Sequence, residues 1–424
     1  MITRLVSRKS FRGRQVPIVN SRSILCAFLF ISVAACSHTS PYYRDEQRLG
    51  ATINETEVAH RLLLIGDAGA PATGGEPVLL ALERYASSIP NKTTIVFLGD
   101  NIYKDGMPDK SSDSRNDAER RIDAQIDVIR HTGARGIFIP GNHDWANGRP
   151  EGWNYIKNLG NYIDSVANDD AIRVHLYPPG GCPGPLNANL DRVVSVIILD
   201  TQWWLHNYRK PGSTDPARCQ YTTERSVLRA LKEQLRHGAL SKRWVVLAAH
   251  HPLQSHGPHN GFADLKAHLF PLTDLHERFW LPLPVIGSIV MLVRWIHSPN
   301  SEDFSSPRYK HMRTTLQGAL KEVAEVGAVP IVYAAGHDHS LQVITGTEAN
   351  AIYLVSGSGS KSETTRVGHS DSTLFAHSHP GFMVMDFVRN GNVRLAVIEA
   401  TGRGSRPKEV YSIFLDKTSL KIIN

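Results

Sequence analysis

Leu62-Leu63-Leu64-Ile65-Gly66-Asp67-Ala68-Gly69 sets an unbroken apolar run of strand length directly against a loop of Gly and Asp. A run without polar alternation is what a strand buried on both faces requires. The same pattern recurs in Ile95-Val96-Phe97-Leu98 before Gly99-Asp100-Asn101-Ile102-Tyr103, and in Ile137-Phe138-Ile139 before Gly141-Asn142-His143-Asp144. It returns in Trp244 to Ala249 before His250-His251-Pro252, and in Ile331 to Ala335 before Gly336-His337-Asp338-His339. Val193 to Leu199 is a further run of this kind. Between the runs, Asn116-Asp117-Ala118-Glu119 reads as a capping box opening a helix to about His131, and Ser306-Pro307 as the N-cap and first-turn proline of another. Buried strands alternating with helices predict an α/β architecture in which helices flank the sheets. The later β-type runs, Ala351 to Val355, Phe382 to Phe387, Val393 to Ile398 and Val410 to Phe414, are expected to complete a second sheet.

Composition agrees with a globular chain: of 424 residues, 41% are apolar and 21% charged, enough for one large core or two modest ones. The formal charge of +7 would suggest a polyanionic partner, but Arg4, Arg8, Lys9, Arg12, Arg14 and Arg22 all precede residue 36. Without those six positive residues the charge is +1, so no specific nucleic-acid binding is expected. The basic stretch is followed by the apolar segment Ile24 to Ala35, too short to span a bilayer comfortably, which reads as a signal peptide over 1–35. Val33-Ala34-Ala35-Cys36 resembles a bacterial lipobox, which implies a lipidated Cys36 and a membrane anchor. An uncleaved signal anchor, or an ordinary cleavage site with an incidental cysteine, is the alternative. With Ser37 next, the resemblance implies an outer-membrane lipoprotein of the bacterial cell envelope, facing periplasm or surface. A polar spacer over 36–60 then leads to a catalytic domain over 61–424. Cys182 and Cys219 lie in a compartment that permits disulfides, and the sequence leaves open whether they pair or stay as buried thiols.

The segment from about 261 to 305 breaks the rhythm of strands and loops and reads as an insertion. Its apolar stretch Phe279 to Ile296 contains Pro282, Pro284, Gly287 and Arg294, which argue against a spanning helix. A lid, an interfacial helix and ordinary packing are its open readings, with packing preferred.

Each loop after an apolar run, taken alone, could be a turn or a polar surface cluster. Together they supply carboxylate, amide, phenol and imidazole groups from strand ends, where metal and substrate sites form in open α/β sheets. The five blocks resemble those of the calcineurin-like metallophosphoesterases. Asp67-x-Gly69, in place of the commoner Asp-x-His, and Tyr103 following Asp100 resemble the purple acid phosphatases within that family. Gly336-His337-Asp338-His339-Ser340-Leu341-Gln342 and Ser356-Gly357-Ser358-Gly359 are similar to the small, mammalian-type branch, and the likeness runs from about 61 to 360.

The resemblance implies a four-layer αββα sandwich with a dinuclear metal site at the strand ends, and hydrolysis of phosphomonoesters. It implies Asp67, Tyr103 and His339 on one ion, Asn142, His250 and His337 on a second, and Asp100 bridging. Hard anionic donors suit Fe(III) at the first position, while two imidazoles and an amide suit Fe(II), Zn(II) or Mn(II) at the second. Two such ions make hydroxide from bound water and neutralise charge on the phosphoryl oxygens. His143 is expected to stabilise the transition state, with Asp144 orienting it, and His256 to protonate the leaving group with His259 in reserve. Asp338 is expected to shape the turn between ligands. A phosphodiesterase or nucleotide pyrophosphatase on the same site, a two-divalent-metal site with Tyr103 merely packed, and a noncatalytic surface lipoprotein are the competing readings. A serine nucleophile at Gly357-Ser358-Gly359 lacks its strand, elbow and helix context, and Thr73-Gly74-Gly75 has no Gly-Lys-Ser/Thr to make a P-loop.

Overall fold

The computed structural model describes residues 40–424 except 46–48, 191, 213, 216, 242, 261–268, 271–279, 284–288, 290–301, 327–330, 347–350, 361–363, 401, 403, 405, 417–421 and 424. The expected signal segment, Cys36 and most of the 261–305 insertion lie outside the described residues. The strands are β1 (Tyr42–Tyr43), β2 (Val58–Ile65), β3 (Thr93–Phe97), β4 (Arg135–Phe138), β5 (Val174–Leu176), β6 (Leu186–Asn189), β7 (Val194–Ile198) and β8 (Trp244–Ala248). They continue as β9 (Ile331–Ala335), β10 (Leu341–Thr345), β11 (Ala351–Ser356), β12 (Thr373–His377), β13 (Gly381–Val388), β14 (Val393–Glu399), β15 (Lys408–Leu415) and β16 (Ile422–Ile423). The helices are α1 (Pro77–Ser88), α2 (Arg115–Thr132), α3 (Gly152–Asp169), α4 (Gln202–Leu205), α5 (Glu224–Leu240) and α6 (Pro307–Val326).

One sheet has the order β1-β12-β10-β11-β9-β8-β7-β6 and the other β16-β15-β14-β13-β2-β3-β4-β5. Each has a parallel block, β2 to β5 in one and β7, β8, β9 and β11 in the other. The pleat explains how a continuous apolar run is used. Leu62 and Leu64 point between the sheets to join Val96, Val196, Val246 and Val332, whereas Leu63 and Ile65 point outward to Leu82, Ile122 and Ile156 on α1, α2 and α3. On the other side Val245, Leu247 and Tyr333 pack under Leu231 and Leu235 of α5 and Leu316 and Leu320 of α6. The result is the expected helix–sheet–sheet–helix stack. Burial of each such Leu or Ile contributes about 1.5–3 kcal/mol.

Three expectations need correction. The C-terminal runs do not all join one sheet: Ala351–Ser356 pairs with β9, while the strands from Gly381 onward pair back to β2. The hydrogen-bonding edge that each strand meets on its return is a tertiary property, absent from its own periodicity. Asn116 opens no capping box: α2 begins at Arg115 after Ser114, and neither Asp117 nor Glu119 caps it, because Arg120 and Arg121 engage Asp117 and Arg115 engages Glu119. The polar 36–60 segment contains Tyr42-Tyr43, which pairs with Ala376 and Phe375 as an edge strand. At α6, by contrast, Ser306 Oγ accepts the amide of Tyr309, as its Ser-Pro start predicts. Cys182 and Cys219 are disulfide-bonded, their Cα atoms 5.4 Å apart. Among the described residues no helix is long and apolar enough to cross a membrane.

Candidate metal centre

The five loops meet at one end of the two sheets, each carried there by the strand before it. Close approach demands glycine in two of them. A Cβ on Gly141 would stand 2.2 Å from Asp100 Oδ1, and one on Gly99, which is at φ +95°, would stand 2.4 Å from His250 Nδ1. Asp67, Asp100 and His337 hold positive φ angles of 59°, 54° and 70°. Such backbone conformations cost of order 1–3 kcal/mol each and persist where the surroundings impose them, commonly at functional sites.

Two groups of donor atoms result. In the first, the Tyr103 hydroxyl lies 3.0 Å from Asp67 Oδ1, 3.4 Å from Asp100 Oδ2 and 3.1 Å from His339 Nε2, with His339 Nε2 3.4 Å from Asp67 Oδ1. In the second, His250 Nε2 lies 2.9 Å from Asn142 Oδ1 and 3.4 Å from Asp100 Oδ1, and His337 Nδ1 lies 3.2 Å from Asn142 Oδ1 and 3.3 Å from His250 Nε2. Asp100 therefore gives one oxygen to each group. Donors about 2.0–2.2 Å from one tetrahedral or octahedral ion stand roughly 2.8–3.6 Å apart, so both groups have the spacing of a coordination shell.

Hydrogen bonds outside the groups fix which nitrogens face inward. His250 Nδ1 donates to the Leu98 carbonyl at 2.8 Å, and His337 Nε2 donates to the Glu302 carbonyl at 3.1 Å. The nitrogens left over converge with Asn142 Oδ1 on one point. Burial works to lower His250, but the Asp100 and Asp67 carboxylates overcome it and push the imidazole up to about 10. Burial works to raise Asp100, yet His250 and His143 hold it well below the usual carboxylate range. The carboxylates thus favour positive charge at His250, whereas burial and then the His259, His251 and His250 rings push His337 well below the usual imidazole range.

The surrounding side chains differ in part from expectation. His143 faces the centre, its Nε2 3.8 Å from Asp100 Oδ2, its side chain 24% exposed and its Nδ1 donating to the Lys104 carbonyl. Asp144 does not orient it. Its carboxylate instead accepts the amides of Gly141, Asn101 and Ile102 at 2.9–3.2 Å, which clamps the second and third loops together. Burial, followed by the Asp100 charge, pushes Asp144 up to about 7. His256 turns to Ser370 Oγ at 3.1 Å, whereas the His259 ring lies 4.1 Å from that of His337, with Nδ1 3.0 Å from Asp303 Oδ1. A loop three residues longer or shorter reads almost identically in sequence, so only the fold chooses between these histidines. Asp338 shapes its turn as expected: its carbonyl accepts Ser340 N at 2.6 Å, and its side chain holds the His259 amide at 3.3 Å.

Sequence reasoning missed His251, Thr201 and Glu302. His251 adjoins a donor, but both its nitrogens are used, Nδ1 toward Thr201 Oγ1 at 2.8 Å and Nε2 toward Glu302 Oε2 at 2.9 Å. It braces the second donor group. Glu302, at the end of the insertion, carries no signal in its neighbouring text. The insertion therefore ends against the metal centre.

A two-sheet α/β sandwich with shared carboxylate and imidazole donors at its strand ends defines a metal-dependent hydrolase architecture. The chain belongs to the calcineurin-like phosphoesterase family, whose model matches residues 60–341. A search of the curated proteins found no match. Among solved structures it is similar to "Structure of PhoD", at 13% identity and TM-score 0.50 over 86% of this chain and 71% of that one. It is also similar to GAP50, the anchor in the inner membrane complex of Plasmodium, at 17% identity and TM-score 0.48 over 85% of this chain and 89% of that one. A purple acid phosphatase, PPD1 from yellow lupin (Lupinus luteus) seeds, matches at 13% identity and TM-score 0.47, over 84% of this chain and 53% of the lupin chain. At these identities the likeness concerns the fold.

Proposed function

We propose that this chain is a phosphomonoesterase of the purple acid phosphatase type, similar to the small, mammalian-type branch. Asp67, Tyr103 and His339 hold one ion, Asn142, His250 and His337 hold the other, and Asp100 bridges them. The observation that carries this reading is the Tyr103 hydroxyl, buried among Asp67, Asp100 and His339 at 3.0–3.4 Å. A phenol that merely packed in the core would not be set among two carboxylates and an imidazole. Phenolate and carboxylate favour Fe(III) there, while the amide and imidazole group suits Fe(II), Zn(II) or Mn(II). When bound, the ions supply an activated water and neutralise the phosphoryl oxygens.

The chain's own groups do the rest. His143, held by the Lys104 carbonyl, can give its other N–H to a phosphoryl oxygen when protonated. His259 is the histidine of its loop nearest the donors, which favours it over His256 for the leaving group. The test is metal content, visible spectrum and phosphate release in wild type and Tyr103→Phe. The reading expects at least two ions per chain, an absorbance lost in Tyr103→Phe, and faster release from a phosphomonoester than from a phosphodiester. Ions without that absorbance remove the Fe(III) phenolate, faster diester cleavage removes the monoesterase, and a chain binding no metal removes the enzyme.

A further inference from the structure

A second group of side chains that could hold a metal ion lies where the chain crosses between the sheets. β12 ends at His377 in one sheet, β13 starts at Gly381 in the other, and Glu399 at the end of β14 stands opposite Gly381. Ala376-His377-Ser378-His379-Pro380 thereby sets two imidazoles beside a carboxylate from the other sheet. His377 Nδ1 meets Glu399 Oε1, and His379 Nδ1 lies 3.5 Å from Glu399 Oε2. The rings stack with centroids 4.0 Å apart and planes 30° from parallel. All three donor atoms lie within 4.8 Å of one another.

We propose that His377, His379 and Glu399 form a mononuclear Zn(II) site that staples the two sheets, separate from the centre around Asp100. Two imidazoles here turn the same nitrogen toward one carboxylate, each facing a different oxygen, so three donor atoms converge. Nδ1 of His379 is buried and makes no hydrogen bond, which leaves its lone pair or proton to be satisfied by something else. Two imidazoles and a carboxylate are a known zinc donor set with a fourth position open, and the His379 side chain is 40% exposed, so solvent can fill that position. The frame is already braced. Gly381 N donates to the Ser358 carbonyl at 2.9 Å and Ala400 N to the Pro380 carbonyl at 3.0 Å, so ligands from both sheets are held without an ion having to gather them.

The full chain, stripped by chelation, would be titrated with Zn(II) alone, with ions per chain counted by mass spectrometry after gel filtration. Wild type should carry one ion more than His379→Ala or Glu399→Gln, with affinity for that ion at least about a hundredfold weaker in the variants. Zn(II) should raise the melting temperature of wild type more than that of either variant. Asn142→Ala, which damages only the other centre, should keep this ion. Glu399→Gln retains an oxygen for His377 and decides the matter should His379→Ala misfold. Equal ion counts in wild type and Glu399→Gln, or loss of the extra ion in Asn142→Ala, would overturn the proposal.

Discussion

His337 donates its Nε2–H to the main-chain carbonyl of Glu302 at 3.1 Å, which commits its Nδ1 to the donor group shared with Asn142 and His250. The Glu302 carboxylate also reaches His251 Nε2 at 2.9 Å. One residue thus sets a donor's tautomer through its backbone and braces a neighbouring ring through its side chain. Replacing Glu302 by Ala spares the carbonyl but frees His251, so affinity for the second ion should fall by about 10- to 100-fold. Calorimetric titration with Mn(II) measures this, and unchanged affinity would show the carboxylate to be dispensable.

His143 supplies no donor atom to either group, yet its Nε2 is 3.8 Å from Asp100 Oδ2. Its loss should therefore separate catalysis from metal loading. In His143→Ala, kcat should drop by about 10²–10³ with metal content unchanged. A variant that loses its metal would assign His143 to the scaffold of the centre.

Gly141 tests the tightness of the loops. A Cβ there would meet Asp100 Oδ1 at 2.2 Å and its amide nitrogen at 2.3 Å, and neither can withdraw without moving the Asp100 carboxylate. Gly141→Ala should cost on the order of 1–3 kcal/mol in urea unfolding and abolish stable binding at both ions. Retention of both ions would mean that the loops can part.

Acid stability has two opposing contributors near α4. Burial, then the charge of Lys210, lowers His206 to about 4. As pH falls from about 6.5 toward 4 the unfolded chain takes up a proton that the folded one refuses, so stability falls over that window. Burial pushes Asp200 up to about 7, so it contributes in the opposite sense, with stability falling as pH rises between about 4 and 7. His206→Gln should flatten the loss of stability on acidification, and Asp200→Asn should steepen it, as read by denaturant midpoints across pH. The reverse ordering would place the controlling groups elsewhere.

The strand ends were legible because their determinants are local. A run such as Leu62 to Ile65 carries its own two-sided burial, and the Gly, Asp, Asn and His that follow carry the turn and its donors within a few residues. The ordered series of loops therefore announced both the layered fold and the kinds of donor group that its strand ends bring together. Pairings between distant positions were silent. Asp144 was expected to serve the adjacent His143, but tertiary packing hands its oxygens to Gly141, Asn101 and Ile102. That His259 lies against His337 while His256 turns to Ser370 depends on how one loop folds against Asp338.

By itself, the sequence determined which segments are buried strands, which loops carry donors, and hence the family's layered architecture, since side-chain period and turn chemistry act over a few residues. Tertiary structure alone decided that Glu302 closes over His337, that Cys182 meets Cys219, and that Glu399 reaches His377 from the other sheet. Those contacts arise from strand order and sheet packing, which set the distance between residues far apart in the chain and leave no periodic trace along it.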